Sequence, residues 1–366
     1  MQEQSVKKRW RLPRYATVFY SLAGLSLLVY LVAVCSPAFA NWFQYHIGGA
    51  VRFTLGHLTA WLPISLAELL IFAVPLIIAA IGVYAWRHHC DTWAAMLRYL
   101  LCVIAVLSLL FSLFVFSFGT GYHTDPLDKR LGLGTGQVSA KELKETARLL
   151  AAKVNAAAEQ VSFGENGFSE MPYDLNTLNA HLLDAYASVC QKYPFISSLE
   201  VGVKPVLASK AMSYTHITGV YTYFTGEANI NTYFPDYTIP FTAAHEMAHQ
   251  RGIARENEAN FVAFLVTSTA TDPYLCYTAY LNLYEYVADA LWHADKEAYY
   301  EVLKELSPAV IGELRAYAAF FEQFSDSVAA DISGAVNDTY LKVHGNAAGT
   351  ASYGLVVDLA VAYLKQ

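Results

Sequence analysis

The segment Pro240–Asn260, PFTAAHEMAHQRGIARENEAN, carries two histidines four residues apart with a glutamate directly after the first: His245, Glu246 and His249. On a helix, residues four apart share a face, so the two imidazoles can meet one ion while Glu246 projects beside them. Pro240 suits a first helical turn, and Gly252, three residues after His249, allows the chain to reverse. A second amphipathic helix is predicted from Glu256 onward. It should supply a carboxylate ligand, and two acids compete for that place. Glu256 has Asn260 one turn on, where a polar side chain can hydrogen-bond a ligand histidine; Glu258 has Val262 there. The spacing therefore favours His245, His249 and Glu256 as ligands, Asn260 as their support, and Glu258 as the alternative ligand. Two imidazoles and one carboxylate leave a fourth position open, the donor set of a catalytic Zn2+ site. Glu246 then serves as general base and acid.

Working outward, the chain has 366 residues, 55% hydrophobic and 15% charged, with a mean hydropathy of +0.30. That is too apolar for one ordinary soluble domain and predicts a membrane part joined to a globular part. Three stretches reach the ~20 residues that a bilayer requires: Tyr15–Ala40, Leu62–Trp86 and Tyr99–Phe118. Residues 1–118 thus form a membrane anchor, and residues 119–366 a second domain. Basic residues at Lys7–Arg14 and Arg87–Arg98 favour the cytoplasmic side, so three spans leave the carboxy-terminal domain outside the cytoplasmic membrane. The competing reading of the first stretch is a signal peptide cleaved near Ala38-Phe39-Ala40, but its apolar region is longer than such peptides have. Glu68 is the one acid in the second stretch and reads as an interface residue or part of an ion path. A net charge of −7 excludes the broad basic surface that nucleic acid requires.

In the second domain, Ala140–Gln160 and Asn176–Lys192 have helical periodicity. Thr215–Thr225 is rich in β-branched and aromatic residues and predicts one or two strands, closing at the turn-like Gly226–Asn229. Helix should resume from Pro240 to Ala290, with breaks at Gly252 and Asp272-Pro273. The fold class is therefore α+β and mostly helical. The five cysteines show no paired spacing. Cys190 and Cys276 share the second domain and are read as free thiols, with a disulfide as the alternative.

HEMAH followed by ENEAN resembles the zinc peptidases of the gluzincin type, in which a helix bearing ExxxD follows HExxH; Asn260 stands where that pattern has aspartate. The HExxHxxG spacing is also similar to metzincins, but their third histidine would fall at Arg255. The stretch from Ser213 to Leu265, with GEANIN at Gly226–Asn231, resembles an uncharacterised family of bacterial membrane proteins that place a few spans before an HExxH domain. The gluzincin resemblance implies a zincin-like domain with a strand that pairs with the substrate backbone, for which Val220, Tyr221, Thr222, Tyr223 and Phe224 are the candidates. It also implies a transition-state donor, with Tyr340, His344 and Tyr353 as candidates. The function expected is hydrolysis of peptides or proteins outside the membrane. The alternative is a zinc-dependent sensor or binding module without turnover, which would need the ligands but not Glu246. An intramembrane protease would need HExxH inside an apolar span, which the polar neighbours Gln250, Arg251 and Arg255 rule out.

Overall fold

The computed structural model describes residues 11–89, 91–134, 136, 138–343 and 355–366. Helix α1 (Arg14–Cys35) is the first of three helices long and apolar enough to cross a membrane. It ends earlier than its composition suggests because Ser36 and Pro37 start a new helix, α2 (Pro37–Phe43), with Ser36 Oγ accepting from Phe39 N at 3.2 Å. Ala38-Phe39-Ala40 lies in that short helix. One turn of π-helix, Gln44–Gly48, leads into α3 (Gly49–Ala60). Arg52, which stands between the first two apolar stretches where a short loop is expected, is in α3 and buried.

Helices α4 (Leu66–His88) and α5 (Trp93–Ser117) are the other two apolar helices, and each is long enough for the hydrocarbon core at 1.5 Å rise per residue. Tyr84 of α4 packs on Tyr99 of α5 at 5.8 Å, so the two form a hairpin. Tyr20 of α1 donates to Leu101 O at 2.7 Å, and Tyr30 meets His123 at 5.0 Å, so α1 and α5 run side by side in one direction. The ends of α1 and α5 and the start of α4 consequently meet the second domain. Arg14, Arg87 and Arg98 lie at the other end.

After a 3-10 turn at Gly119–His123 come α6 (Leu127–Leu131), α7 (Ala140–Ala158) and α8 (Leu175–Lys192). Ser139 and Glu142 form a reciprocal capping box that sets the start of α7. A small sheet follows, made of β1 (Lys204–Pro205), β2 (Gly219–Thr222) and β3 (Glu227–Ile230) in the order β1-β3-β2, with the short helix α9 (Ser209–Ser213) inserted. Strand β3 is parallel to β1 and antiparallel to β2, with Val220 opposite Asn229. Glu227-Ala228-Asn229 is thus the central strand and not a turn; the chain reverses at Tyr223–Gly226, where Gly226 has φ +73°. Polar residues mark turns only when they face water. Here Glu227 and Asn229 are buried and bonded.

Among the described residues the domain is completed by α10 (Thr238–Gln250), α11 (Glu256–Thr269), α12 (Pro273–Ala294), α13 (Lys296–Leu303), α14 (Pro308–Glu322), α15 (Val328–Val343) and α16 (Val356–Leu364). The breaks fall at Gly252 and at Asp272-Pro273, where Asp272 caps α12 by accepting from Leu275 N at 2.9 Å. One hydrophobic core joins the inward faces of α7, α8, α10, α11, α12 and α16. Cys190 and Cys276 are both free thiols.

Domain and apolar helices are joined by polar contacts that bury charge. Glu227 accepts from Leu66 N at 3.0 Å and Ala67 N at 2.9 Å, capping α4, and pairs with Lys204 at 2.7 Å. Glu68 accepts from Leu207 N and Ala208 N, each at 2.8 Å. It thus lies in the first turn of α4, at the end of the apolar helix as expected of an interface residue, and anchors the loop at Leu207–Ala208.

Candidate metal centre

Helix α10 ends in a left-handed turn. Ile253 N donates to Ala248 O at 3.1 Å and Gly252 N to His249 O at 3.0 Å, with Gly252 at φ +99°. Glycine tolerates that conformation without a Cβ penalty. The turn brings Ile253 O within 2.7 Å of His249 Nδ1. A carbonyl only accepts, so Nδ1 carries the proton and Nε2 is left as the nitrogen that could bind a metal.

Helix α11 begins at Glu256 and is packed along α10. Glu256 Oε2 lies 3.2 Å from His245 Nε2 and 3.5 Å from His249 Nε2. The two rings are near perpendicular, with centroids 4.6 Å apart. Ligand atoms held ~2.0–2.1 Å from a tetrahedral ion are separated by about 3.3 Å, so the donor set fits zinc in chemistry and spacing. The three side chains are 12%, 7% and 14% exposed, shielded yet reachable from the cleft. Burial opposes charge on His249, but Glu256, Glu246 and the Ile253 carbonyl outweigh it and raise its pKa to about 9. Burial likewise opposes ionisation of Glu256, and the two histidines overcome it, holding its carboxyl well below the usual range.

Glu246 is buried beside these groups. Burial raises its pKa, with Glu256 adding to the rise while His245, His249 and the Tyr221 backbone N–H act against it. Its Oε2 has no hydrogen-bond partner among the described residues. Gly219 of β2 packs against it so closely that a Cβ there would lie 2.6 Å from Glu246 Oε1. These residues line a cleft of about 970 Å³, with β2 on one wall and α15 on another. Strand β2 is the sheet edge beside the cleft. Of the five candidate strand residues, Val220, Tyr221 and Thr222 are in β2, and Tyr223 and Phe224 are in the turn after it.

Residues 49–361 match the family described as Protein of unknown function (DUF3810). The chain belongs to the DUF3810 family. No curated protein and no solved structure matches it.

In this DUF3810 protein the two competing acids are separated by helix geometry, because residues two apart on a helix point in nearly opposite directions. Glu256 faces the histidines. Glu258 turns away, pairs with Arg255 at 2.7 Å and accepts from Leu127 N at 3.0 Å. Asn260 lines the cleft, but its Nδ2 has no partner among the described residues, and no bond joins it to either histidine; the Ile253 carbonyl holds His249 instead. Tyr340 also lines the cleft, its hydroxyl 3.3 Å from that of Tyr122, and burial raises its pKa to about 12. His344 and Tyr353 lie outside the described residues.

Sequence reasoning missed four contributors in this DUF3810 site. Phe118 stacks edge-on against His249, with centroids 5.7 Å apart. Tyr286 on α12 lines the cleft near Glu256, whose charge joins burial in raising the tyrosine's pKa. Arg52 and Gln44 clamp the turn after α10: Gln44 Nε2 donates to Gly252 O at 3.4 Å, and the Arg52 guanidinium packs on the Gly252 Cα. Arg52 in turn donates to Ser117 O at 2.7 Å and Gln44 O at 3.0 Å. An arginine between two apolar runs was the one signal the sequence offered for this clamp.

Proposed function

We propose that this protein is a membrane-anchored, zinc-dependent metallopeptidase of the HExxH type, hydrolysing peptide bonds outside the cytoplasmic membrane. The observation that carries this reading is the convergence of His245, His249 and Glu256 beside a buried Glu246 at the edge of a cleft. Zinc, when bound, polarises a scissile carbonyl and acidifies the attacking water. Glu246 accepts the proton of that water and passes it to the departing amine. A carboxyl with a raised pKa suits both tasks. The Tyr221 N–H holds one side of the Glu246 carboxylate, and the outer edge of β2 offers backbone groups for an extended peptide. Tyr340 and Tyr286 both line the cleft and are candidates to donate to the developing oxyanion. The basic residues at the far end of the apolar helices favour the cytoplasm, which puts the cleft on the other side.

Metal analysis combined with a peptide-library cleavage assay on wild type and Glu246→Gln tests the reading. Zinc at one per chain in both, with cleavage by wild type alone, is the expected result. A wild type that binds no zinc overturns it. Zinc in two equally inert proteins makes the protein a zinc-dependent binding module.

A further inference from the structure

The metal centre is built directly on the end of the third apolar helix. Phe118, the first residue beyond α5, sets its ring 5.7 Å from that of His249 and 5.4 Å from that of Tyr221. One turn earlier, Phe114 meets Tyr223 edge-on at 5.3 Å, and Ser117 Oγ donates to Tyr223 O at 3.3 Å. A ligand histidine and the turn after β2 therefore both rest on the last turn of a helix long and apolar enough to cross a bilayer. The end of a span marks the edge of the hydrocarbon. The cleft sits at that edge and not a domain's height above it.

The facing wall continues the apolar surface. Val328, Ile332 and Val336 recur every four residues along α15 and are exposed, with Val336 at the cleft. Tyr340 is next in the same stripe, and it packs against Phe114 of α5 at 6.4 Å and against Tyr122 at 6.2 Å. An exposed apolar stripe that runs from the mouth of a cleft onto a membrane-spanning helix is a costly surface in water. It fits a substrate whose own apolar part lies in the lipid.

We infer that the substrate is a polypeptide held in the same membrane by an apolar anchor, either an acyl chain or a spanning helix, and cut within the few residues next to that anchor. The inference rests on the peptidase reading above. The β2 edge takes the extended backbone emerging from the membrane, and the α15 stripe takes the apolar flank.

The test uses the full chain, zinc-loaded, in phosphatidylcholine–phosphatidylglycerol nanodiscs. Its substrate is a degenerate 20-residue peptide carrying a palmitoyl group, a leucine-rich spanning helix, or no anchor. Mass spectrometry maps the cuts. Cuts in one or both anchored peptides should cluster within about five residues of the anchor, a reach set by ~3.3–3.6 Å per extended residue. Which anchor is cut assigns its kind. Tethering alone raises local concentration at every position, so cuts spread evenly along the peptide, or equal cutting of the unanchored one, overturn the inference and leave the peptidase standing. No cuts by wild type, matching Glu246→Gln, remove the peptidase reading and this inference with it. A readout without turnover uses Glu246→Gln and anchored peptides bearing a photoreactive benzophenone three or fifteen residues from the anchor. Labelling of β2 and α15 at least about fivefold stronger from the nearer position is expected; equal labelling overturns the inference.

Discussion

His249 Nδ1 lies 2.7 Å from the Ile253 carbonyl, across a turn that depends on the left-handed backbone of Gly252. The tautomer of one candidate ligand histidine is thus set by a backbone conformation three residues away. Gly252→Ala places a Cβ at φ +99° and 2.5 Å from Arg52 Nη2. The strain alone costs about 1–2 kcal/mol, and displacement of the Ile253 carbonyl should weaken zinc binding about tenfold or more. Thermal melting and zinc titration against a chelator check the two effects.

Glu256 and Glu258 should behave oppositely. Glu256→Gln is expected to lose zinc while remaining folded, because its carboxylate is spent on the two histidines. Glu258→Gln is expected to keep zinc but to lose about 3 kcal/mol of stability, since it strips Arg255 of its buried partner. Metal content and denaturant unfolding of the two variants, measured side by side, separate the roles. Zinc retained by Glu256→Gln would sink the ligand assignment.

Glu285 on α12 gives a pH signature. Burial first, and then the charge of Glu313, push its carboxyl up to about 8 from an ordinary 4.5, with Tyr237 acting against them by donating a hydrogen bond. The unfolded chain releases this proton near pH 4.5, whereas the native protein holds it until about 8. Stability therefore falls as pH rises through that window and levels off above it. At ~1.4 kcal/mol per pKa unit, discounted because Glu285 is partly open to the cleft, the loss is on the order of a few kcal/mol. Glu285→Gln should match wild type near pH 5 and exceed it in stability at pH 9. Unfolding curves across the range decide this.

The second domain should not fold well without its anchor. A fragment of residues 119–366 removes the Leu66 and Ala67 amides from Glu227, Thr59 O from Lys204, and the Arg52–Gln44 clamp from Gly252. Each buried group left without a partner costs about 1–3 kcal/mol, a sum comparable to the ~5–15 kcal/mol that holds a typical domain together. Limited proteolysis should degrade the fragment under conditions in which the full chain survives.

Local physics made much of this protein legible from sequence. The three apolar helices follow from length and hydropathy, and α7, α8 and α10–α12 follow from periodicity and from breaks at Gly252 and Pro273. The pairing of His245 with His249 needs only a 3.6-residue repeat. The choice between Glu256 and Glu258 was harder. Spacing to Asn260 pointed to the acid that does face the histidines, but Asn260 makes no bond to them. The orientation of α11 is what turns Glu256 inward.

Long-range packing decided the rest. Glu227 and Asn229 read as turn residues because no local rule shows that α4 will present its amides to one and that β2 will accept from the Nδ2 of the other. Arg52 and Phe118 look like a loop cation and the last residue of a span. They become parts of the candidate metal centre only when α3 and α5 pack beside the turn and histidines of α10. Sequence by itself determined that the apolar stretches and the periodic segments at α7, α8 and α10–α12 are helical, which stretches can enter a membrane and which residues are candidate metal ligands, because those properties depend on neighbours a few residues away. Only the tertiary structure decided that the candidate metal centre stands against the end of an apolar helix. That contact joins residues more than a hundred positions apart, and burial, not spacing, holds them together.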